Sequence, residues 1–389
     1  MNYRTHDGKT LIFKPIYGEV PPLRRPKFLS PTSVNQFYKY PDEFFLQRIC
    51  ANPPEKIPQT VPMGVGSSFD AFAKSWLYEK LIGKSAGTEY DLETMLTTQV
   101  EASHSVRNRE FLVNAGRYAF RCYMQSGALA SLAMDMGKAI EGSIKMEKTV
   151  TRTMHGVPLL GKPDLCFQTA CASDGNKIAT FILDWKVNGF MSASTTSPKK
   201  GYSVLRDGWD ETIGAHSKNH NKAHKDYMHH NVCGINVNGM LNLETVSEEW
   251  AGQVVTYAWA LGAEVGDEIY CGIDQLCCKQ LRDRGMMSAS EYEELVIAQS
   301  LMPEIRIASF RMGVGKDFQK SLMEKYIYLW SILALDDERL KKMFFKHTLS
   351  EFEVNPELAS VNQCEMLINS CMIAPSDNDK WLDTMTRAR

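Results

Sequence analysis

Apolar positions along the chain fall into blocks whose period changes twice. Residues 1–28 show little periodicity and hold Pro15, Pro21, Pro22 and Pro26, which predicts an extended lead-in. Ser33 then stands where it can cap a helix through Val34, Phe37 and Tyr38; Pro41 punctuates it, and a second apolar run starts at Phe44. After a Pro-rich stretch from Asn52 to Pro62, Gly64-Val65-Gly66-Ser67-Ser68 leads into Phe69 to Leu81, whose spacing predicts a helix. Residues 101–136 predict a further helical layer, with Gly116 and Gly127 as breaks or points of close packing.

At Lys148 the spacing becomes strand-like. Thr149 to His155 and Leu159 to Thr169 predict strands joined by Gly156-Val157-Pro158, and Ile178 to Lys186 predicts a third, reached through Ser173-Asp174-Gly175-Asn176. Three strands in succession, spanning 148–186, predict a meander. Residues 187–243 are polar, rich in Gly, Asn, His and Lys, and too long for an ordinary loop, which predicts an insertion with a function of its own. Helical spacing returns over 248–261, strands are predicted at Glu268 to Cys277 and Glu304 to Phe310, and a long helix at Phe318 to His347, before a tail at 348–389. This order predicts an α/β fold with a central mixed sheet flanked by helices, carried by one large domain over 29–347 with an amino-terminal helical layer and a His-rich insertion.

Composition narrows the class. With 389 residues, 44% apolar and 23% charged, the chain resembles a globular protein and neither a disordered nor a fibrous one. Its start is polar and its apolar runs, such as Tyr326 to Leu335, are too short to span a bilayer, so a cytoplasmic protein is expected. Ten cysteines without a C-x-x-C pair predict buried thiols and argue against a disulfide framework. The net charge of -2 lacks the basic excess common among nucleic-acid binders; a local groove of Lys and Arg can still meet phosphate when acidic groups cancel the total.

The chemistry concentrates in the predicted strands. Asp164 lies in Gly161-Lys162-Pro163-Asp164-Leu165, while Asp184 and Lys186 end the third strand and share one of its faces by alternation. If the two strands pair, Asp164 comes beside Asp184. Two such carboxylates repel each other, and a hard divalent cation between them resolves the repulsion. Magnesium, with manganese as a substitute, then offers bound water for phosphodiester hydrolysis, and the adjacent ammonium of Lys186 orients that water or stabilises charge on the phosphate. The bland alternative, a surface hairpin with solvated charges, fits poorly with acids that interrupt apolar strands.

These residues resemble the PD-(D/E)XK nuclease superfamily: Pro163-Asp164 followed by Asp184-Trp185-Lys186 matches its signature. Three further stretches are similar to the RecB/AddB-like exonuclease branch, some members of which are phage-encoded. They are Leu29-Ser30-Pro31-Thr32-Ser33 with Tyr40-Pro41-Asp42-Glu43-Phe44, then Gly66-Ser67-Ser68-Phe69-Asp70, and Gln253-Val254-Val255-Thr256-Tyr257, which matches a Q-x-x-x-Y motif. Together they span roughly 29–260, and their joint order is more specific than any one motif. The resemblance implies a restriction-endonuclease-like core and a magnesium-dependent deoxyribonuclease, exonucleolytic rather than endonucleolytic, acting in DNA recombination, repair or phage DNA processing, in the host cytoplasm if phage-encoded. Asp164 and Asp184 would bind metal, Asp70 would complete the site in place of the family's histidine, and Gln253 and Tyr257 would contact DNA. A homo-oligomer or a recombination partner protein is compatible with it. Tyr40 replaces the early cysteine of the iron-sulfur members, and Cys364 and Cys371 lack their expected company, so no cluster is expected.

Alternatives stay open at several of these positions. Asp70 is also an ordinary first-turn helix acid, favoured there by the macrodipole. Gln253 and Tyr257, one turn apart, also suit an amphipathic helix with a half-buried tyrosine. His216, His220 and His224 would stack on one face of a helix as zinc ligands, but Gly, Asn and Lys dilute the segment. The preferred reading is a basic loop in which Lys199, Lys200, Arg206, Lys218, Lys222 and Lys225 meet DNA phosphates, without structural zinc. Arg306 and Arg311 are further phosphate candidates or solvated strand-end charges. Two other functions remain: a catalytically inactive nucleic-acid-binding or assembly protein of the same fold, and a site-specific endonuclease.

Overall fold

The computed structural model describes residues 2–4, 10–12, 23–51, 53, 59–100, 106–170, 178–188, 203–205, 213–214, 229–278 and 305–344. In chain order the strands are β1 (Asn2–Arg4), β2 (Thr10–Ile12), β3 (Lys145–Met146), β4 (Val150–Met154), β5 (Val157–Gly161), β6 (Leu165–Ala170), β7 (Ile178–Asn188), β8 (Ser203–Leu205), β9 (Ile213–Gly214), β10 (His229–Val232), β11 (Ile235–Asn242), β12 (Tyr270–Cys278) and β13 (Ile305–Gly313). The helices are α1 (Pro31–Lys39), α2 (Pro41–Phe44), which runs into a π-helical turn at Phe45–Ile49, α3 (Val61–Leu81), α4 (Leu92–Gln99), α5 (Val106–Gln125) and α6 (Ala128–Met136). They continue with α7 (Leu243–Val246), α8 (Glu248–Leu261), α9 (Lys316–Leu333) and α10 (Asp337–Phe344). Among the described residues, no helix is long and apolar enough to cross a membrane.

One compact unit takes residues 1–56, 151–161 and 320–389. Within the predicted lead-in, β1 and β2 pair antiparallel. The cap of α1 is Ser30, not Ser33: the Ser30 hydroxyl accepts from the Ser33 N–H, and Ser33 answers by accepting from the Ser30 N–H, so two orphan donors are satisfied reciprocally. Leu29 bridges to β5, donating to Pro158 O and accepting from Leu160 N–H, both at 2.8 Å. The predicted helix from Phe318 to His347 is broken, because Asp336 accepts from the Arg339 N–H and opens α10 as a separate helix.

The second unit, residues 57–150 and 162–319, holds a mixed sheet. Its strand order is β10-β11-β13-β12-β7-β6-β3, with β8 on β13 and β9 on β8. The pairs β12/β7 and β11/β13 are parallel, while β6/β7 and β12/β13 are antiparallel. Phe181, Leu183 and Trp185 alternate onto one face of β7 and join a core with Phe69, Phe72 and Leu77 of α3 and Leu112, Ala119 and Tyr123 of α5. Each fully buried Leu or Phe contributes about 1.5–3 kcal/mol. On α8, Val254, Val255, Ala258 and Trp259 are buried, and that helix packs against β7. The chain is therefore α/β, with a mixed central sheet and flanking helices.

The sheet corrects three expectations. The predicted strand from Leu159 to Thr169 is two strands in different units, β5 and β6, divided at Lys162-Pro163-Asp164, where Pro163 has no N–H to give a ladder. In place of a three-strand meander, β4 and β5 pair apart from the central sheet. The insertion is in part sheet: β10 and β11 form a hairpin whose turn residues Cys233 and Gly234 both have positive φ, 46° and 91°, as a two-residue turn requires.

The glycine-rich stretch before Phe69 lies inside α3, which begins at Val61 with Pro62 in its first turn. Gly64 and Gly116 mark a close helix crossing. A Cβ on Gly116 would stand 2.4 Å from Ser68 Cβ, and one on Gly64 would stand 2.7 Å from Leu112 Cδ1.

Candidate active site

The register of β6 against β7, with Leu165 opposite Leu183, carries Asp164 to the level of Asp184. Asp164 sits in the break before β6 rather than in mid-strand. Its Oδ2 accepts from the Trp185 N–H at 3.4 Å, and its backbone carbonyl accepts from the Glu147 N–H at 3.1 Å. Asp184 is buried at 4% exposure. Burial first, then Asp164 through its charge and a hydrogen bond, push the Asp184 carboxyl up to about 7, against the pull of Lys186.

Lys186 lies two positions on, so strand alternation sets it on the same face as Asp184. Its ammonium donates to Asp184 Oδ2 and to Gln253 Oε1, both at 2.8 Å. Gln253 in turn donates to the Tyr257 hydroxyl at 3.0 Å, one helical turn away. Burial pushes the Tyr257 hydroxyl up to about 12, so it stays protonated at neutral pH. The structure thus brings Asp164, Asp184, Lys186, Gln253 and Tyr257 together.

Asp70 stands differently from expectation. Its carboxylate is 2.5 Å from the ammonium of Lys74, one turn along α3, and burial with the neighbouring charges of Asp164 and Glu147 raises it to about 7. Among the described residues no three His, Cys, Asp or Glu side chains are gathered to hold a metal ion. The fit of a divalent cation therefore rests on the Asp164 and Asp184 pair. Two adjacent hard oxygen donors, one of them raised by burial and its neighbour, suit a magnesium-sized ion that keeps several waters, and the chemistry of the donor set fits.

A cavity of about 620 Å³ opens on this centre. Asp70, Glu147, Asp164 and Lys186 line it, and Trp250 and Asn188 extend it. It is large enough for a nucleotide-sized ligand.

Comparison with protein-family models, with curated proteins and with solved structures finds no match to this chain. What the site can do is therefore read from its own residues.

Several of those residues escaped sequence reasoning. Lys74 is fully buried, with Glu147 at 2.9 Å and Asp164 at 3.6 Å besides Asp70. Its only signal was a lysine within the apolar run Ala71-Phe72-Ala73-Lys74. Glu147 carried no signal; it adopts φ 47°, a left-handed conformation that costs a non-glycine residue energy. Gln275, opposite Lys186 in the β12/β7 register, is 1% exposed, and both its side-chain polar atoms lack a partner. Asn188 Oδ1 is likewise buried without one.

The reverse face of β7 also carries polar contacts. Trp185 Nε1 donates to the Tyr123 hydroxyl at 3.3 Å, and Tyr123 donates to Asp274. Arg311 grips Asp274 with two donors, at 2.8 and 3.4 Å, with Asp135 at 3.9 Å. Arg311, 13% exposed, is thus held in an ion pair on that face, which fits neither the phosphate contact nor the solvated strand-end charge left open for it. The basic positions Lys199, Lys200, Arg206, Lys218, Lys222 and Lys225, with His216, His220 and His224, and also Cys364 and Cys371, lie outside the described residues.

Proposed function

We propose that this chain is a divalent-metal-dependent deoxyribonuclease of the PD-(D/E)XK type, as its motifs suggest. The observation that carries the reading is the convergence of Asp164, Asp184 and Lys186 beside a cavity lined by acidic groups. Magnesium, when bound by Asp164 and Asp184, would supply charge neutralisation at the phosphate and a water of lowered pKa. Lys186, steered by Gln253, sits where an ammonium can orient the attacking water or hold charge growing on a phosphate oxygen. Water adds to phosphorus, the bridging P–O bond breaks, and the departing oxygen takes up a proton. Trp250 offers an aromatic face along the cavity for an unstacked base. The preference for DNA ends over internal sites rests on resemblance to RecB-like enzymes.

The rival reading, a nucleic-acid-binding protein of the same fold without turnover, draws support from Lys74, whose ammonium already satisfies Asp70 and Glu147. One experiment separates the two: end-labelled linear and closed circular DNA incubated with magnesium, manganese or chelator. Release of label from linear DNA with either metal, abolished in Asp184→Asn and Lys186→Ala variants that still bind DNA, supports the exonuclease. Fragments of defined length from circular DNA would favour the endonuclease. Binding without cleavage on either substrate would favour the scaffold.

A further inference from the structure

Lys74, with 0% exposure, is a fully buried charge. Burying an ammonium is costly unless it is matched by opposite charge and its donors are filled. Here the match is complete: Nζ lies 2.5 Å from Asp70 Oδ2, 2.9 Å from Glu147 Oε1 and 3.6 Å from Asp164 Oδ1, with no exposure of the side chain. Two of the three partners come from outside its own helix, and Glu147 reaches it from the strained left-handed backbone already described. Lys162 meets the outer oxygen of Glu147 at 3.5 Å, so the acidic wall is neutralised from both sides.

Asp164 is divided between two neighbours. Its Oδ1 faces Lys74, whereas its Oδ2 faces the backbone of β7 beside Asp184. The centre therefore has two sides that share one carboxylate: Asp70, Glu147 and Asp164 around an ammonium, and Asp164 with Asp184 beside Lys186. A divalent ion placed among the first three would lie within a few ångströms of a fixed positive charge, where repulsion in a poorly solvated site is large.

We propose that Lys74 acts as a resident cation that fills the Asp70, Glu147 and Asp164 side of the centre and limits the protein to one divalent ion, held by Asp164 and Asp184. Lys74 is a positioning residue in this scheme: it holds the Oδ1 side of Asp164 without meeting substrate. The inference rests on the reading of the centre as a metal site, and its test keeps the two apart.

Manganese binding to the full chain is counted by electron paramagnetic resonance and calorimetry, without substrate. Wild type and Lys74→Arg are expected to bind one ion per chain, and Lys74→Met two. Equal stoichiometry and affinity in wild type and Lys74→Met would overturn the role of Lys74 while leaving a one-metal nuclease standing. No ion in either protein would overturn both. An ion in Lys74→Met alone would uphold Lys74 as a cation substitute and remove the metal-dependent nuclease. Should Lys74→Met fail to fold, Lys74→Gln, which removes the charge but keeps a neutral donor for the same three carboxylates, carries the same comparison, with a second ion expected and a count of one overturning the proposal.

Discussion

The ammonium of Lys186 and the amide oxygen of Gln253 meet at 2.8 Å, tying the central strand β7 to α8, the helix that precedes β12. This bond orients Lys186 toward the cavity, since its other donor contact is Asp184 on the same strand. Replacing Gln253 by alanine leaves Lys186 with one fixed partner. A cleavage rate lower by about 10–100-fold is expected, as for other groups that orient a catalytic side chain, with stability reduced by only about 1 kcal/mol. Paired rate and melting measurements check this; a loss of stability without loss of rate would assign Gln253 a packing role.

Asp184 gives the metal-free protein a pH signature. Its carboxyl is raised to about 7 from the ordinary 3.8, so between those values the folded chain holds a proton that the unfolded chain has released. Stability from that proton is complete below about pH 4 and is lost as pH rises through 7; Asp70, raised to about 7, acts in the same direction. In chelator, Asp184→Asn is expected to be more stable than wild type at pH 8, by on the order of a few kcal/mol, and the gap closes toward pH 4. Magnesium should raise the melting temperature of wild type at pH 8 and leave the variant unmoved. Urea titrations at pH 5 and 8 that show the variant equally destabilised at both would refute this.

Behind β7, Asp274 meets the guanidinium of Arg311 at 2.8 Å, with Asp135 farther off at 3.9 Å. Asp274→Ala should cost about 3–5 kcal/mol, because it strands a buried guanidinium, whereas Tyr123→Phe should cost about 1–2 kcal/mol. Equilibrium denaturation measures both. Comparable small losses would mean that water replaces the carboxylate.

Two glycines separate packing from propensity. Gly116→Ala places a methyl 2.8 Å from the Phe69 backbone nitrogen and 2.4 Å from Ser68 Cβ, and should destabilise by about 1–3 kcal/mol. Gly66→Ala, at the sixth of the 21 residues of α3, meets nothing within 4 Å and should stabilise by up to about 1 kcal/mol through helix propensity. Thermal melts in which both variants lose stability would show that Gly66 serves another contact.

The strand carrying Asp184-Trp185-Lys186 was legible, though it runs two residues past Lys186, because alternation of apolar residues survives around the two charged ones, and Gln253 with Tyr257 because helical spacing does. The break before Asp164 was not. An apolar run either side of Pro163 reads as one strand, and only the separation of β5 from β6 into different sheets divides it. The hairpin of β10 and β11 escaped for a similar reason: Cys233-Gly234 is not a usual turn pair, and tertiary pairing with β13 holds it.

Sequence by itself determined the α/β order, the shared face of Asp184 and Lys186, and the one-turn spacing of Gln253 and Tyr257, all of which follow from the local periods of strand and helix. Tertiary structure decided what surrounds them. Lys74 and Glu147 come from elements 73 positions apart, and Arg311 finds Asp274 from the neighbouring strand. Local patterns say which way a side chain points; the charge it meets after burial depends on which distant segment the sheet and helices bring against it.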